Sequence, residues 1–271
     1  MMQALGLLTL GLYALSFASY ARNLFAPNVA LGRLGSVLLC LGIVAQYVEL
    51  LERARVTHSI PYDDLYGSMS LFAWLLGVTY LGLELFHRER SVGAFVTLGL
   101  VLWMAALRMF AKPPGPNPGL PQGSLFAFHV TLNTWSYAAF ALSFVLSLIY
   151  LLQDQMLRSR RLATPSWRFP ALDVLDRMAR SSVYIGLVAL GLGVGMGLVW
   201  AWRQDGASVL ADPKVVTTAF ILVIYLVYLR VSRSSSWRGA RAALLCALNF
   251  AVVLFSYTFV NLYLTKFHHF H

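Results

Sequence analysis

Eight long apolar stretches constrain this sequence more than any other feature. They span residues 3–21, 34–51, 66–86, 92–111, 130–152, 182–202, 215–231 and 241–264. A helix needs roughly 20 apolar residues to cross the hydrocarbon core of a bilayer. Backbone groups in lipid must be paired within the segment, and the stretches lack the alternation of a barrel strand. The sequence therefore predicts an all-α polytopic membrane protein with about eight transmembrane helices.

Composition agrees with one membrane domain. The chain has 271 residues, of which 59% are hydrophobic and 12% are charged, whereas soluble domains carry about a quarter charged residues. We therefore expect residues 1–271 to form a single membrane domain without a separate soluble one. The net charge is +10, and the basic residues lie in short loops between the apolar stretches. This distribution favours an explanation by membrane topology over a nucleic-acid partner.

The distribution of lysine and arginine predicts the orientation. Fourteen of the 21 basic residues fall in one set of loops, and seven fall in the alternate set, namely Arg53, Arg55, Arg108, Lys112, Arg203, Lys214 and Lys266. Cytoplasmic loops carry the excess of positive charge, so the richer set is predicted to be cytoplasmic. An even number of spans then places both termini outside.

Few polar residues interrupt the spans. Glu49 and Glu84 lie near span ends, where we expect them to be solvated, so no central acidic pair indicates a proton-coupled carrier. Cys40 and Cys246 lie inside apolar stretches and are expected in the core. No P-loop, HExxH or nucleophile elbow is present, and no catalytic residue is assigned.

Two segments carry a helical pattern of their own. The loop 153–180 contains apolar and charged residues at a spacing that predicts a short amphipathic helix over 172–180, lying against lipid phosphates. The sixth span contains small residues that predict close helix packing, and these are Gly191, Gly193, Gly195 and Gly197.

Five of the six histidines fall on the predicted outer side, and these are His58, His129, His268, His269 and His271. His87 lies in a cytoplasmic basic turn, where a solvated side chain is expected. Neutral imidazole is a common axial ligand of heme iron, and histidines that end different helices can approach a flat cofactor from both faces. An interfacial belt of histidine, tryptophan and tyrosine is the alternative explanation.

The outer loop 202–214 carries charges of both signs, including Asp205, Asp212 and Lys214. Lys214, together with Lys112 and Arg108, could pair with carboxylates such as heme propionates. These basic residues could equally be span-end charges that reach out to water.

The order of segments along the chain resembles a known family. HVTLNTWSYAAFALSFVLSLIYLLQ (129–153) is followed by LDVLDR, by a glycine-rich span ending GLVWAW, by an outer loop ending DPK, and by WRGARAA and FVNLYL. His268 comes seven residues after Asn261, and HSIPYDDLYGSMSLFAWLL lies upstream. This order, over about 60–271, resembles the cytochrome c assembly family of the CcsA, ResC and HemX type.

The resemblance implies heme handling at the outer face of a bacterial inner membrane. The two outward histidines of the family correspond to His129 and His268. The family's tryptophan-rich loop, approximately WGxYWxWDPKE, is matched at Gly206, Asp212, Pro213 and Lys214. Family synthases generally work with a second membrane protein that bears an outer domain, which implies such a partner beside lipid and heme.

The sequence also departs from the family pattern. The four aromatic positions of the loop are occupied by Asp205, Ser208, Val209 and Ala211, and a histidine of the seventh span in full synthases is replaced by Arg230. The departures remove an aromatic surface for a porphyrin and favour the HemX-like branch, whose members are associated with regulating heme biosynthesis.

Two functions therefore remain open, heme presentation through His129 and His268 (with His58, Asp212 and Lys214 as further contacts) and regulation without heme-synthase chemistry. A small-solute transporter is a third and less favoured function, because it would need a polar site at mid-membrane.

Overall fold

Helices account for the regular structure of the described chain. A computed structural model describes residues 2–57, 60, 64–110, 124–159, 170–205, 213–234 and 237–259, without the side chains of 110, 203–205, 213–214 and 257–259. In these ranges there are eight α-helices and no strand. The helices are α1 (Met2–Phe25), α2 (Val29–Thr57), α3 (Leu65–His87), α4 (Gly93–Phe110), α5 (Ser124–Arg158), α6 (Leu172–Asp205), α7 (Pro213–Val231) and α8 (Ala240–Phe259). For the described residues, the prediction of an all-helical chain with eight helices is confirmed.

Five of these helices, α1, α2, α3, α5 and α6, are long and apolar enough to cross a membrane. The helices α4, α7 and α8 have shorter apolar segments, over Gly93–Met109, Val215–Val231 and Ala240–Ser256. With 35 and 34 residues, α5 and α6 are each about 50 Å long at 1.5 Å per residue. They therefore exceed the roughly 30 Å of a bilayer core.

The predicted separate amphipathic helix at 172–180 is wrong, because these residues form the first turns of α6. Leu175 and Met178 are completely buried in the main core cluster, so this segment packs against protein. Two ion pairs one turn apart, Asp173–Arg177 and Asp176–Arg180, stabilise the same turns in the manner of i,i+4 pairs.

The eight helices form two groups of four. In the first group α1 packs on α2 and α4, and α3 packs on α2 and α4; in the second, α5 packs on α6 and α8, and α7 packs on the same two helices. Helix α3 joins the groups through contacts with α5 and α6. Consecutive helices run in opposite directions, so one end of the bundle holds His129 and the other holds Glu84. We call these the His129 end and the Glu84 end.

Helix α1 shows that the polar residues face inward. Its buried face is formed by Gly6, Thr9, Tyr13, Ser16, Tyr20 and Leu24, whereas Leu7, Leu8 and Leu15 are more than half exposed. An exposed surface of this kind is unfavourable in water and is typical of contact with lipid. Cys246 is buried as predicted, but Cys40 is exposed, so its prediction as a core residue is wrong.

Glu84 is the centre of a buried polar cluster at its end of the bundle. Its side chain is 1% exposed. The hydroxyls of Tyr20 and Tyr80 donate to Oε2 at 2.6 and 2.8 Å, Ser36 donates to Oε1, and Arg90 Nε lies 3.5 Å from Oε1. The expectation that Glu84 is solvated is wrong, because four side chains take the place of water.

A second buried carboxylate lies toward the His129 end of the same four helices. Glu49, 8% exposed in its side chain, accepts from Arg108 Nη2 at 3.1 Å and from the Tyr66 hydroxyl at 2.9 Å. Arg53 is paired with Asp64, whose Oδ1 accepts from Gly67 N at 2.7 Å and caps α3. Glu49, like Glu84, is buried and paired, contrary to the expectation from its position near a span end.

We expect Glu84→Ala to lower the free energy of unfolding by about 2–4 kcal/mol, because it leaves a half-buried arginine and three hydroxyls without their acceptor. Glu52→Ala is the matched control. It removes a carboxylate paired with Arg55, which is 75% exposed, and should cost less than about 1 kcal/mol. Unfolding in mixed micelles by titration with a denaturing detergent measures both values, and equal losses would contradict a stabilising Glu84 cluster.

Candidate functional site

The ring of His129 lies on a glycine of the neighbouring helix. His129 is in the second turn of α5, and a Cβ placed on Gly197 of α6 would lie 2.3 Å from the ring atoms Cε1 and Nδ1. One turn earlier, a Cβ on Gly193 would lie 3.1 Å from the amide of Asn133. Only glycine at 197 leaves the space that the imidazole occupies.

The predicted close packing of the glycine-rich span is therefore confirmed for Gly193 and Gly197. It is wrong for Gly191 and Gly195, which are exposed and where an added Cβ would meet no atom within 4 Å. The reason is the helical period, since residues two apart point to different faces while residues four apart share one.

A hydrogen bond fixes the protonation of the His129 ring. Nδ1 lies 2.7 Å from the carbonyl oxygen of Gly193. A carbonyl oxygen only accepts, so Nδ1 carries a proton, and in the neutral imidazole Nε2 is then the nitrogen with the lone pair. Asn133 donates through Nδ2 to the backbone carbonyl of His129 at 2.8 Å, and the same nitrogen lies 3.1 Å from Nδ1 and 3.4 Å from Nε2 of the ring.

Aromatic side chains border the imidazole. The rings of Phe126 and Trp200 are 5.5 Å apart, and the ring of Phe126 is 6.5 Å from that of His129. Phe126 is 5% exposed, whereas His129 and Trp200 are half-buried. The histidine thus lies between an apolar aromatic pair and the backbone of α6.

This arrangement fits an axial ligand of heme. Metal-bound histidines commonly donate their other ring nitrogen to a backbone carbonyl, which sets the tautomer and the orientation of the ring, and His129 makes that contact with Gly193. Within the described ranges no three His, Cys, Asp or Glu side chains come together as a metal site. A single imidazole suits heme iron, because the porphyrin supplies the equatorial ligands.

The remaining predicted site residues are largely beyond the described part of the chain. His58, Asp212, His268, His269 and His271 lie outside the described residues. Lys214 lies in the first turn of α7, and its side chain is outside the described set. Of the two predicted ligands, His129 and His268, the structure therefore describes the surroundings of His129.

Two predictions about other side chains need correction. Arg108, considered for propionates, is engaged by Glu49, and its guanidinium packs so closely on Gly6 that a Cβ there would lie 1.8 Å from Nη2. His87 ends α3 rather than lying in a solvated turn. It is half-buried, with Nε2 3.0 Å from Ser181 Oγ of α6.

Sequence reasoning missed the groups that orient His129. Asn133 is four residues after His129 on the same helix, a spacing that could have identified it. The carbonyl of Gly193 had no signal in the sequence, because any residue supplies a carbonyl and only the packing of α6 on α5 selects this one.

Comparison with known proteins identifies the family of this chain. The profile of the family described as cytochrome C assembly protein matches residues 62–268. Protein HemX of Brevibacillus brevis is 29% identical over 252 residues, covering 90% of this chain and 92% of the relative. Protein HemX of Bacillus subtilis (strain 168) is 28% identical, covering 97% and 95%.

A third relative carries a different name. The cytochrome c biogenesis protein CcsA of Prochlorococcus marinus (strain MIT 9301) is 30% identical over 242 residues, covering 79% of this chain and 77% of the relative. The family profile covers α3 to α8, including His129 and Gly197, whereas α1 and α2 precede it. From the family match and the apolar helices together, the chain is an integral membrane protein that belongs to the cytochrome c assembly protein family.

Proposed function

We propose that this protein handles heme in cytochrome c biogenesis and presents it at the outer face of the membrane through His129. The observation that carries the proposal is the His129 ring, whose Nδ1 is held by Gly193 O at 2.7 Å so that Nε2 is the nitrogen available to iron. Relatives named as cytochrome c biogenesis proteins support the same function.

The residues of this chain would bind and orient the cofactor. His129 would ligate iron through Nε2, and His268 is proposed as the second ligand. His58, Asp212 and Lys214 are proposed as further contacts, with Lys214 supplying a cation for a propionate. Heme itself supplies the iron and the vinyl groups by which it is attached to an apocytochrome.

We further propose that all eight helices cross the inner membrane of a bacterium, with the His129 end on the periplasmic side. The asymmetry of lysine and arginine supports this orientation. The beginning of α1 and the end of α8 lie at the same end of the bundle as His129, so both termini would be periplasmic. A second cytochrome c assembly membrane protein is the proposed partner.

A regulatory function is the second candidate, since two relatives carry the name HemX. The loop before α7 has Asp205, Ser208, Val209 and Ala211 at the aromatic positions of the family pattern. Loss of that aromatic surface would suit a membrane regulator of heme biosynthesis that has lost heme-synthase chemistry.

Heme binding is tested by absorption spectroscopy of the protein purified in mild detergent, before and after addition of hemin. We expect a Soret band that His129→Ala or His268→Ala abolishes or shifts, because each removes a proposed iron ligand. His87→Ala is the matched control, since His87 lies at the opposite end of the bundle, and it should leave the band unchanged. A wild-type protein without a Soret band, or variants with an unaltered one, would exclude the proposed ligands.

Gly197, against which the His129 ring packs, gives a sharper test. Gly197→Ala would place a methyl group 2.3 Å from the His129 ring and displace it from Gly193 O. We expect about 10- to 100-fold weaker hemin affinity, the usual effect of disturbing a group that orients a metal ligand. Gly195→Ala, with no neighbour within 4 Å, should bind as the wild type does. Equal affinities for both variants in a hemin titration would contradict the proposed role of Gly197.

A deletion strain separates the two functions. If the protein presents heme for cytochrome assembly, the strain should lose mature c-type cytochromes, as measured by heme staining of membrane proteins. If the protein is a regulator, c-type cytochromes should be normal while the levels of tetrapyrrole precursors change. Complementation by the wild-type gene and by His129→Ala then shows whether the histidine is needed.

A further inference from the structure

The connection between α7 and α8 carries a dense group of arginines at the Glu84 end. Arg230 is in the last turn of α7, Arg233 follows it, and Arg238 and Arg241 flank the start of α8. All four are exposed. We call these four residues the arginine corner.

The arginine corner has no acidic residues of its own. From residue 213 to residue 271 the sequence contains neither Asp nor Glu. At the neighbouring ends of α5 and α6, by contrast, each basic side chain faces a carboxylate one turn away, in the pairs Asp154–Arg158, Asp173–Arg177 and Asp176–Arg180. Asp176 lies within electrostatic range of Arg238 but is bound by Arg180 at 2.6 Å. By residue count, the arginine corner contributes four positive charges and no negative one.

Aromatic side chains accompany this charge. Arg233 donates through Nη2 to the hydroxyl of Tyr184 of α6, and its guanidinium carbon lies 5.9 Å from the centre of that ring. Trp237, in the same connection, is 44% exposed. Exposed tyrosine and tryptophan beside arginine are typical of the level of lipid headgroups.

An apolar track leads away from the arginines along α7. Val223 and Val227 are half exposed and lie one turn apart, and Arg230 follows on the same face by helical spacing. A cationic head region that continues into an apolar track matches a phospholipid, whereas a free phosphate would use only the arginines.

From these observations we infer that the arginine corner binds an anionic phospholipid of the phosphatidylglycerol class. Arg230 and Arg233 contact the phosphate and glycerol head, Tyr184 holds Arg233 in position, and an acyl chain lies against Val223 and Val227. The inference is independent of heme, because the arginine corner lies at the opposite end of the bundle from His129.

The test measures binding of phosphatidylglycerol to the full-length protein in neutral detergent, by native mass spectrometry and by the shift in melting temperature. Phosphatidylcholine and glycerol 3-phosphate serve as the zwitterionic lipid and the free anion. We expect phosphatidylglycerol to bind and to raise the melting temperature, and the other two to do neither. R230Q/R233Q should weaken binding about 30-fold, since each basic residue at an anionic surface contributes a factor of about five.

Two matched variants separate charge from damage to the fold. R230K/R233K keeps the charge and should retain most of the binding. R158Q/R177Q removes two arginines that are paired with carboxylates and should bind as the wild type does. The inference is overturned if R230Q/R233Q binds phosphatidylglycerol normally while melting like the wild type, if R158Q/R177Q loses binding equally, or if glycerol 3-phosphate stabilises the protein as well as the lipid does.

Discussion

The close approach of α6 to α5 is the contact on which the candidate site depends. Three glycines of α6 at spacings of seven and four residues, Gly186, Gly193 and Gly197, face Phe140, Asn133 and His129 of α5. Helices in lipid gain little from apolar surface alone and associate where small residues let their backbones come near. The same approach brings the Gly193 carbonyl within hydrogen-bonding distance of His129, so one packing interface both joins the helices and fixes the ring.

The first four helices are held together in a different way. Their interior contains two buried carboxylates, Glu49 and Glu84, each paired with an arginine and with at least one tyrosine hydroxyl. A lone buried charge in such surroundings would be very unfavourable, so these clusters specify how α1 and α2 sit on α3 and α4. Since α1 and α2 precede the region that the family profile matches, the two clusters attach this helix pair to the matched region.

The two ends of the bundle therefore differ in chemistry. The His129 end holds an imidazole between aromatic rings and a backbone carbonyl, which suits a flat, metal-containing cofactor. The Glu84 end of the second helix group carries the arginine corner, with its excess of positive charge. Arg230, at the position where the resemblance places a histidine in full synthases, lies exposed in the last turn of α7 and belongs to this basic surface.

The sequence by itself determined the helical class, the number of described helices and the family, and it singled out His129 as the proposed iron ligand, because apolar length, segment order and residue identity are all written along the chain. It could not determine which side chains of different helices contact each other. From the sequence alone, Glu49 and Glu84 are expected to be solvated because they lie near span ends. Cys40 is expected to be buried, and residues 172–180 are expected to form a separate helix. Only the tertiary structure decided these points, since each depends on which face of one helix meets which face of another. The same holds for the His129 ring: its type is fixed by the sequence, but its tautomer is set by a carbonyl 64 residues away.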